Sequence, residues 1–376
     1  LEFRRVLFRS DVFQRNLGTD DEPLVSGAKP SVYAAEMEFA AKLIDWKAKW
    51  HPHGKGPRRG DIVDGLGMAI HTWGGGGHES NCTVKVHPDG GVESFCGTQD
   101  IGTGTRTVCA MVLAETFGLP VDVIKIHYGS SRLPISGPSG GSTTVGGVSE
   151  SHRRAGQEAL LKICELVGEK LGIAATELEA VDGRIRAKGK PDTGMSWKEA
   201  CGLLGMKPLE VRGSFKPGRT KSPLSDSKVG GVQMAQVEVD TKTGVIQVKK
   251  FVAVQDIGLV MNRKLAQSQV NGAVIMGIAY SLFEQRISDP ASGVFLNAEM
   301  NNYHLCRLGD VGEIVVEFYE PESERSRGVI GLGEPPVISP GAALSNAVCN
   351  ALGVRVPVLP MTPQRVLEAL EKAGRV

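Results

Sequence analysis

Three separated segments of the chain combine residue types that could bind or activate a ligand. Residues 97–107 hold three glycines and four threonines together with Gln99 and Asp100. Residues 138–147 hold four glycines interspersed with serines and threonines. In the third segment, Glu334 stands between two glycines on one side and two prolines on the other. These segments could bind an anionic ligand and present a carboxylate to it.

The pattern of the first segment, residues 97–107, predicts the end of a strand, then a glycine-rich bend, then the start of a helix. Free backbone N–H groups at a helix start, reached closely through glycines, suit a phosphate or another anion. The same residues could equally form an ordinary strand-to-helix turn, in which glycine is needed only for steric reasons. The pattern alone does not decide between these two hypotheses.

The second segment, residues 138–147, also precedes a predicted helix. Alone, it is slightly more typical of a flexible surface loop. Together with the first segment, it favours a ligand with two anionic groups or a pyrophosphate held from two sides. Neither segment contains the phosphate-binding G-x-x-x-x-G-K-[ST] motif or the dinucleotide-binding G-x-G-x-x-G motif.

Glu334 lies on backbone that must be sharply bent or rigid, because glycines precede it and prolines follow it. Such a turn fixes the geometry of a side chain, which a general base requires. A glutamate here could also cap or form a salt bridge near the following helix. The residues alone favour that structural role.

Composition excludes several classes of function. The 376 residues carry a net charge of +1, and aromatic residues make up 5%, a balance that argues against nucleic-acid binding. We find no apolar run near the roughly 20 residues of a membrane-spanning helix. Seven scattered cysteines give no iron–sulfur or zinc pattern and indicate a reducing compartment. We expect a cytoplasmic protein, with the periplasm as the alternative.

Hydrophobic periodicity and turn residues predict a mixture of helices and strands. The predicted helices span residues 31–50, with Ser31 as the N-cap, and residues 105–117, 148–171, 266–284 and 341–352, followed by one that starts at Thr362 and Pro363. The predicted strands span residues 66–72, 83–86, 92–95, 123–128, 236–240 and 245–254. Residues 174–230 are rich in charge, glycine and proline and are predicted to form a solvated excursion.

A hairpin followed by a helix occurs twice along the chain. The first hairpin ends in Gln99-Asp100-Ile101-Gly102, and the second ends in Gln255-Asp256-Ile257-Gly258. This pattern predicts an internal duplication and an α+β fold built from duplicated hairpin-plus-helix units.

The ends of the chain suggest a particular domain organisation. Residues 1–10 resemble a translated sequencing adapter and are predicted to be non-native. Residues 11–64 are predicted to be the tail of a preceding domain plus a linker, and residues 65–376 a second domain.

In order and spacing, these segments are similar to the large subunit of the xanthine dehydrogenase and aldehyde oxidase family of molybdenum hydroxylases. The resemblance rests on residues 97–107, 139–144, 256–272 and 331–336, and it covers nearly everything from Val12 onward. It implies that this chain is the C-terminal half of that subunit and forms its second molybdopterin-binding domain.

The resemblance also implies a cofactor and roles for individual residues. The cofactor is molybdenum–molybdopterin, often as the cytosine dinucleotide in bacteria, with the metal held by the pterin rather than by protein side chains. Glu334 matches the active-site glutamate, which accepts a proton while an aldehyde or N-heterocycle carbon is hydroxylated with oxygen from water. The positions that match cofactor-binding segments are Gln99, Gly102, Thr103, Gly104, Gly140, Gly141, Ser142 and Thr143.

Parts of the family pattern are absent from this sequence. The N-terminal half of the subunit, which carries further cofactor loops and much of the substrate pocket, is missing. The sequence contains no iron–sulfur cysteine pattern and no flavin site, so iron–sulfur clusters and FAD are expected on partner subunits or on an upstream part of the polypeptide. This chain alone is expected to be inactive. Two alternatives stay open: a non-catalytic nucleotide- or anion-binding module, and the large subunit of a carbon monoxide dehydrogenase.

Overall fold

The computed structural model describes residues 9–25, 27–218 and 228–375. Three helices precede the main sheets: α1 (Arg9–Arg15), α2 (Pro30–Leu43) and α3 (Trp46–Lys49). The helix predicted over residues 31–50 is interrupted at Asp45, which has a φ of 59°. Lys29, rather than Ser31, is the N-cap, because Pro30 takes the first helical position, where its missing N–H costs nothing.

The first main sheet has four strands and follows the predicted hairpin. Its strands are β3 (Ser80–Val86), β4 (Val92–Cys96), β5 (Ile124–Tyr128) and β9 (Leu209–Phe215), in the spatial order β5-β4-β3-β9. Two helices, α4 (Thr105–Phe117) and α5 (Thr144–Leu171), pack on one face. The alternating buried residues of β3, β4 and β5 meet these helices in one apolar core, as expected for a half-buried sheet.

The second main sheet has five strands and is covered on both faces. Its strands are β1 (Arg58–Arg59), β2 (Ile62–Trp73), β10 (Val229–Asp240), β11 (Ile246–Gln255) and β12 (Glu313–Phe318), in chain-number order. One face packs against α7 (Arg263–Leu282), α9 (Pro340–Leu352) and α10 (Pro363–Lys372). The other packs against α2, and a short helix, α8 (Glu322–Arg325), follows β12.

The two main sheets share a connectivity. In each, an antiparallel hairpin (β3–β4 or β10–β11) leads to a helix and then to a strand parallel to the second hairpin strand. The mixed architecture confirms the α+β fold class. The internal duplication stays a prediction that this shared order supports.

The prediction of a solvated excursion over residues 174–230 is wrong for the described part of that segment, while residues 219–227 lie outside the described residues. The segment forms a three-stranded sheet of β6 (Leu178–Val181), β7 (Arg184–Ala187) and β8 (Lys190–Ser196), then α6 (Trp197–Gly202), β9 and the start of β10. Ile185, Trp197 and Val211 are buried in the core beneath the four-stranded sheet. In β9, exposed Glu210 and Arg212 alternate with buried Val211, Gly213 and Phe215.

The predicted domain boundary at residue 64 falls inside β2. Because α2 packs on the sheet that contains β2, residues 11–64 contribute to this sheet's core; their membership of a preceding domain stays a prediction. Residues 1–8 of the predicted non-native segment lie outside the described residues. Within the described ranges, we find no helix whose length and hydropathy would let it cross a membrane.

Helix α9 lies unusually close to β2 because glycine faces it. A Cβ on Gly67 would lie 2.2 Å from both the Ala343 carbonyl oxygen and the Ala347 nitrogen. Both atoms belong to helix backbone and cannot turn aside, so a larger residue would force α9 away from the sheet.

We therefore expect Gly67→Ala to lower the free energy of unfolding by about 1–3 kcal/mol, the usual cost of overpacking a core. Urea unfolding monitored by circular dichroism measures this change. Gly74→Ala is the matched control, because a Cβ there meets no atom within 4 Å. Equal midpoints for the two variants would contradict the close approach of α9.

A buried cluster of ionisable groups lies between α2 and the ends of β11 and β12. Arg327 contacts Asp256 at 2.7 Å and also pairs with Glu324. Glu36 is fully buried nearby. Burial, then the negative charges of Asp256 and Glu324, hold the pKa of Glu36 well above its ordinary value. Glu36 is therefore protonated in the folded chain at pH values where it ionises in the unfolded chain.

The resulting proton uptake on folding makes stability depend on pH. The free energy of unfolding should fall as the pH rises above the unfolded pKa of glutamate, about 4.3, at up to about 1.4 kcal/mol per pH unit. Glu36→Gln removes this titration, so its stability relative to the original chain should increase between pH 5 and pH 8 in urea unfolding. The control is Glu38→Gln, an exposed position on the same helix. A pH-independent difference for Glu36→Gln would disprove the protonated state.

Candidate active site

The three segments singled out in the sequence line one cavity of about 340 Å³. Thr103 comes from the first segment, Gly140 and Ser142 from the second, and Glu334 from the third. The other predicted site residues lie in the same loops without lining the cavity: Gln99, Gly102, Gly104, Gly141 and Thr143. The cavity lies where loops of the four-stranded and five-stranded sheets meet.

The glycine run at residues 74–77, which connects the two main sheets, lets these loops approach. A Cβ on Gly77 would lie 2.6 Å from the backbone of Gly146, in the first turn of α5. Gly75 accepts a hydrogen bond from the Gly331 N–H at 3.0 Å. A Cβ on Gly331 would overlap the Ser142 carbonyl oxygen, at 1.5 Å. Side chains at these positions would separate the loop at 139–144 from the turn at 331–336.

Glu334 contacts the second loop through both of its carboxyl oxygens. The Gly141 N–H donates to Oε1 at 3.0 Å, and the Ser142 hydroxyl donates to Oε2 at 2.7 Å. The Glu334 N–H donates in turn to the Ser142 hydroxyl at 3.1 Å. These bonds fix the carboxylate relative to residues almost two hundred positions away in the sequence.

The Glu334 side chain is exposed in the described chain. The sequence favoured a structural role for Glu334, as a helix cap or in a salt bridge. Within the described residues, its carboxylate forms neither. Glu334 precedes a 3-10 turn, Pro335–Val337, without a side-chain capping bond. Its role as a base stays a prediction.

A buried polar network holds the backbone that follows Glu334. Gln233 on β10 donates to the Pro336 carbonyl at 2.7 Å, and the Tyr280 hydroxyl on α7 donates to the Val337 carbonyl at 3.0 Å. His71 on β2 bonds the Ser339 hydroxyl at 2.8 Å. Burial lowers the pKa of His71 to about 4, so its imidazole is neutral at physiological pH. The turn is thus held by uncharged groups of the five-stranded sheet and α7.

The first glycine-rich bend differs from the anion site predicted for it. Asp100 accepts the N–H groups of Gly102 and Gly104 at 3.0 and 3.1 Å with Oδ1, and that of Arg106 at 3.1 Å with Oδ2. The carboxylate of Asp100 therefore occupies three of the N–H groups that an external anion could use at this bend, two before α4 and one in its first turn. From this bend, Thr103 and Thr105 line the cavity.

The second loop keeps the features expected of an anion site. Thr144 and Val145, in the first turn of α5, line the cavity. Across the described ranges, neither of their backbone N–H groups donates a hydrogen bond. Such N–H groups at the positive end of a helix attract anions. A Cβ on Gly140 meets no atom within 4 Å, so there is open space above the loop.

Glutamines hold the loops around the cavity together. The Ser139 N–H donates to Gln99 Oε1 at 3.2 Å, and the Ser139 hydroxyl donates to the Gln99 carbonyl at 3.1 Å. Gln269 on α7 donates to the Gly102 carbonyl at 3.3 Å. Gln99 therefore joins the first and second segments to each other, and its predicted cofactor contact stays a prediction.

The rest of the cavity wall is mainly apolar and was not found from the sequence. It is formed largely by Ile101, Val108, Val145, Ile257, Leu259, Met261, Leu265, Met276, Val329, Ile330 and Leu332. Of the described residues that line it, Glu334 alone carries an ionisable side chain. Hydroxyl and N–H donors on one side and an apolar wall on the other fit a phosphorylated organic cofactor together with a neutral substrate.

Comparison with known families identifies a molybdopterin cofactor-binding domain in this chain. The model of that family matches residues 40–312. The chain belongs to this family.

The chain is similar to several oxidoreductases and dehydrogenases. The aldehyde oxidoreductase molybdenum-binding subunit PaoC of Escherichia coli O157:H7 is 29% identical over 340 residues, which cover 89% of this chain and 44% of the relative. Quinoline 2-oxidoreductase from Pseudomonas putida 86 has the same fold, with a TM-score of 0.77, 22% identity and coverage of 90% of this chain and 46% of that chain. CO dehydrogenase from Oligotropha carboxidovorans has a TM-score of 0.72 at 22% identity, covering 91% of this chain and 44% of the other.

The chain thus spans about half the length of the curated relatives it matches. At 22% identity, the two solved structures are evidence for the fold alone.

Asp100 should be essential to the shape of the first bend. In Asp100→Asn, an amide NH₂ replaces the oxygen that accepts from the Arg106 N–H, so two donors face each other. We expect the free energy of unfolding to fall by about 1–3 kcal/mol, the usual cost of losing a hydrogen bond to a charged group, as measured by thermal and urea unfolding. Asp122→Asn makes the same charge change at an exposed position. If both variants unfold alike, the carboxylate does not hold the bend.

Proposed function

We propose that this chain is the C-terminal half of the cofactor-binding subunit of a molybdenum hydroxylase and that Glu334 is its active-site base. The observation that carries the proposal is that Glu334 and both glycine-rich loops face one cavity. The alternative, a non-catalytic anion-binding module, gives no reason for a carboxylate fixed by two hydrogen bonds beside the cavity.

Residues of this chain would hold part of the cofactor. The free N–H groups of Thr144 and Val145 would contact its phosphate-bearing portion, and Thr103 and Thr105 would approach from the opposite loop. When bound, the molybdenum–molybdopterin cofactor supplies the redox centre that takes two electrons from the substrate carbon. We propose that the cofactor is the cytosine dinucleotide form, because the two glycine-rich loops offer it two sets of hydrogen-bond donors.

The overall reaction balances as a carbon–hydrogen bond plus one water giving a carbon–hydroxyl bond, two electrons and two protons. Glu334 would take one of these protons. Each carboxyl oxygen accepts one protein hydrogen bond and keeps a second lone pair that can receive a proton. The apolar wall formed by Leu259, Met261 and Met276 would bind the substrate carbon skeleton and exclude bulk water.

The neutral, largely apolar wall favours an aldehyde or an uncharged N-heterocycle as the substrate. No cationic side chain lies among the described lining residues, so a carboxylate-bearing substrate would find no counter-ion within this part of the protein. No observation on this chain specifically favours carbon monoxide.

The chain would assemble with further parts of the enzyme. We propose an upstream half of the same subunit, which would complete the cavity around the exposed Glu334, and partner subunits with iron–sulfur clusters and FAD that carry the electrons away. The chain by itself would then be inactive. We place the assembly in the cytoplasm, with the periplasm as the alternative.

Glu334→Gln in the whole assembled enzyme tests the proposal. Because the amide cannot take up a proton, turnover should fall by a factor of roughly 10²–10⁴, the usual contribution of general base catalysis. Cofactor content should not change. Turnover is measured with benzaldehyde, quinoline, hypoxanthine and carbon monoxide, with dichlorophenolindophenol as the electron acceptor, and molybdenum and pterin are measured after denaturation.

Glu299→Gln, an exposed glutamate outside the cavity lining, is the control and should keep full turnover. Original turnover in Glu334→Gln, or an enzyme purified without molybdenum and pterin, would refute the proposed function.

A further inference from the structure

Ser142 has a backbone conformation that serine rarely adopts. Its φ is +57°, in the left-handed region that favours glycine. The described residues contain only four non-glycine positions with positive φ, and two of these are aspartates, which tolerate this region better than serine does. The two residues before Ser142 are already glycines. A serine at 142 therefore calls for a reason that outweighs its backbone strain.

The surroundings impose this conformation. The Trp73 indole N–H donates to the Gly141 carbonyl at 2.9 Å, which fixes the peptide plane immediately before Ser142. On the other side, the Ser142 carbonyl lies directly against Gly331. The backbone at 142 is thus held between the end of β2 and the turn that carries Glu334.

In this conformation, the Ser142 hydroxyl acts on Glu334 in two ways. It donates to the Oε2 oxygen at 2.7 Å and accepts from the Glu334 N–H at 3.1 Å. The neighbouring Gly141 N–H bonds the other carboxyl oxygen at 3.0 Å. The hydroxyl therefore fixes the carboxylate to its own backbone, which restricts rotation about the side-chain bonds of an otherwise exposed glutamate.

We infer that Ser142 is a positioning residue for Glu334, kept at a strained backbone position for its hydroxyl, rather than a residue that binds the cofactor. This inference rests on the proposed function of Glu334. It replaces the role that the family resemblance implies for Ser142, because the single proton of its hydroxyl is already donated to the carboxylate.

Ser142→Gly in the whole assembled enzyme separates the hydroxyl from the backbone. Glycine is favoured at this φ, which offsets part of the loss of the two hydroxyl hydrogen bonds, so the melting temperature should fall less in Ser142→Gly than in Ser142→Ala. Molybdenum and pterin content should be unchanged. With the substrate found active among benzaldehyde, quinoline and hypoxanthine, kcat should fall roughly 10- to 100-fold, the range expected for losing a hydrogen bond to a charged group, while KM changes little.

Two further variants complete the design. Ser142→Ala removes the hydroxyl but keeps the strain, so it should lose the same kcat and also some thermal stability. Asp182→Gly makes the equivalent relaxing change at a positive φ in the β6–β7 turn and should leave kcat unchanged. A crystal structure of Ser142→Gly should show the Glu334 side chain in more than one rotamer.

The outcomes distinguish this inference from the proposed function. If Glu334→Gln is inactive but Ser142→Gly keeps its original kcat, the positioning role is wrong and the proposed function stands. If Ser142→Gly loses cofactor in proportion to activity, Ser142 binds the cofactor and the inference is overturned. If Glu334→Gln itself turns over normally, the proposed function fails, and the positioning role fails with it.

Discussion

The cavity depends on a close approach of backbone segments that only glycine permits. The run at residues 74–77 passes the first turn of α5 on one side and the turn at residue 331 on the other. At Gly77 and Gly331, an added Cβ would lie 2.6 Å and 1.5 Å from neighbouring backbone, well inside van der Waals contact. Any side chain here would push the loop of the four-stranded sheet away from the turn of the five-stranded sheet. The glycine-rich composition therefore reflects this convergence as well as ligand binding, since close approach of chain to chain and of chain to ligand require the same residue.

Two glycine-rich segments that look equivalent in sequence have different properties in the fold. In the first, Asp100 bonds the N–H groups at the start of α4 and acts as an internal anion. Asp256 bonds the Gly258 N–H in the same way at the corresponding bend of the five-stranded sheet. The second segment has no acidic residue of its own at its bend, and the Glu334 carboxylate from a distant turn bonds Gly141 and Ser142 there. In this chain, an aspartate two residues before a glycine thus marks a bend whose N–H groups are bonded by its own side chain.

Local signals predicted the elements with strong boundaries. Helix α4 begins and ends where glycines delimit it, and α10 begins after Thr362 as its capping side chain indicates. The strands of residues 178–215 were missed because the charge of their exposed faces outweighed the alternating apolar residues. The pairing of Glu334 with Ser142 spans 192 positions, and no local pattern encodes it; only the family resemblance placed the two segments near one cofactor. The apolar wall and the buried Glu36 depend on tertiary packing, which periodicity cannot resolve.

Glu334 lies in a turn that is attached to the five-stranded sheet, but its carboxylate contacts a loop of the four-stranded sheet. The polar network of Gln233, Tyr280 and His71 attaches its turn to the five-stranded sheet and α7, whereas its carboxylate is bonded by the loop that begins α5, which packs on the four-stranded sheet. The geometry of the carboxylate is thus a property of the interface between the units. Because hydrogen bonds weaken steeply with distance and angle, a small shift of one unit against the other would release the carboxylate without changing either core. Glycine at residues 77 and 331 allows the two units to approach closely enough for these hydrogen bonds to form.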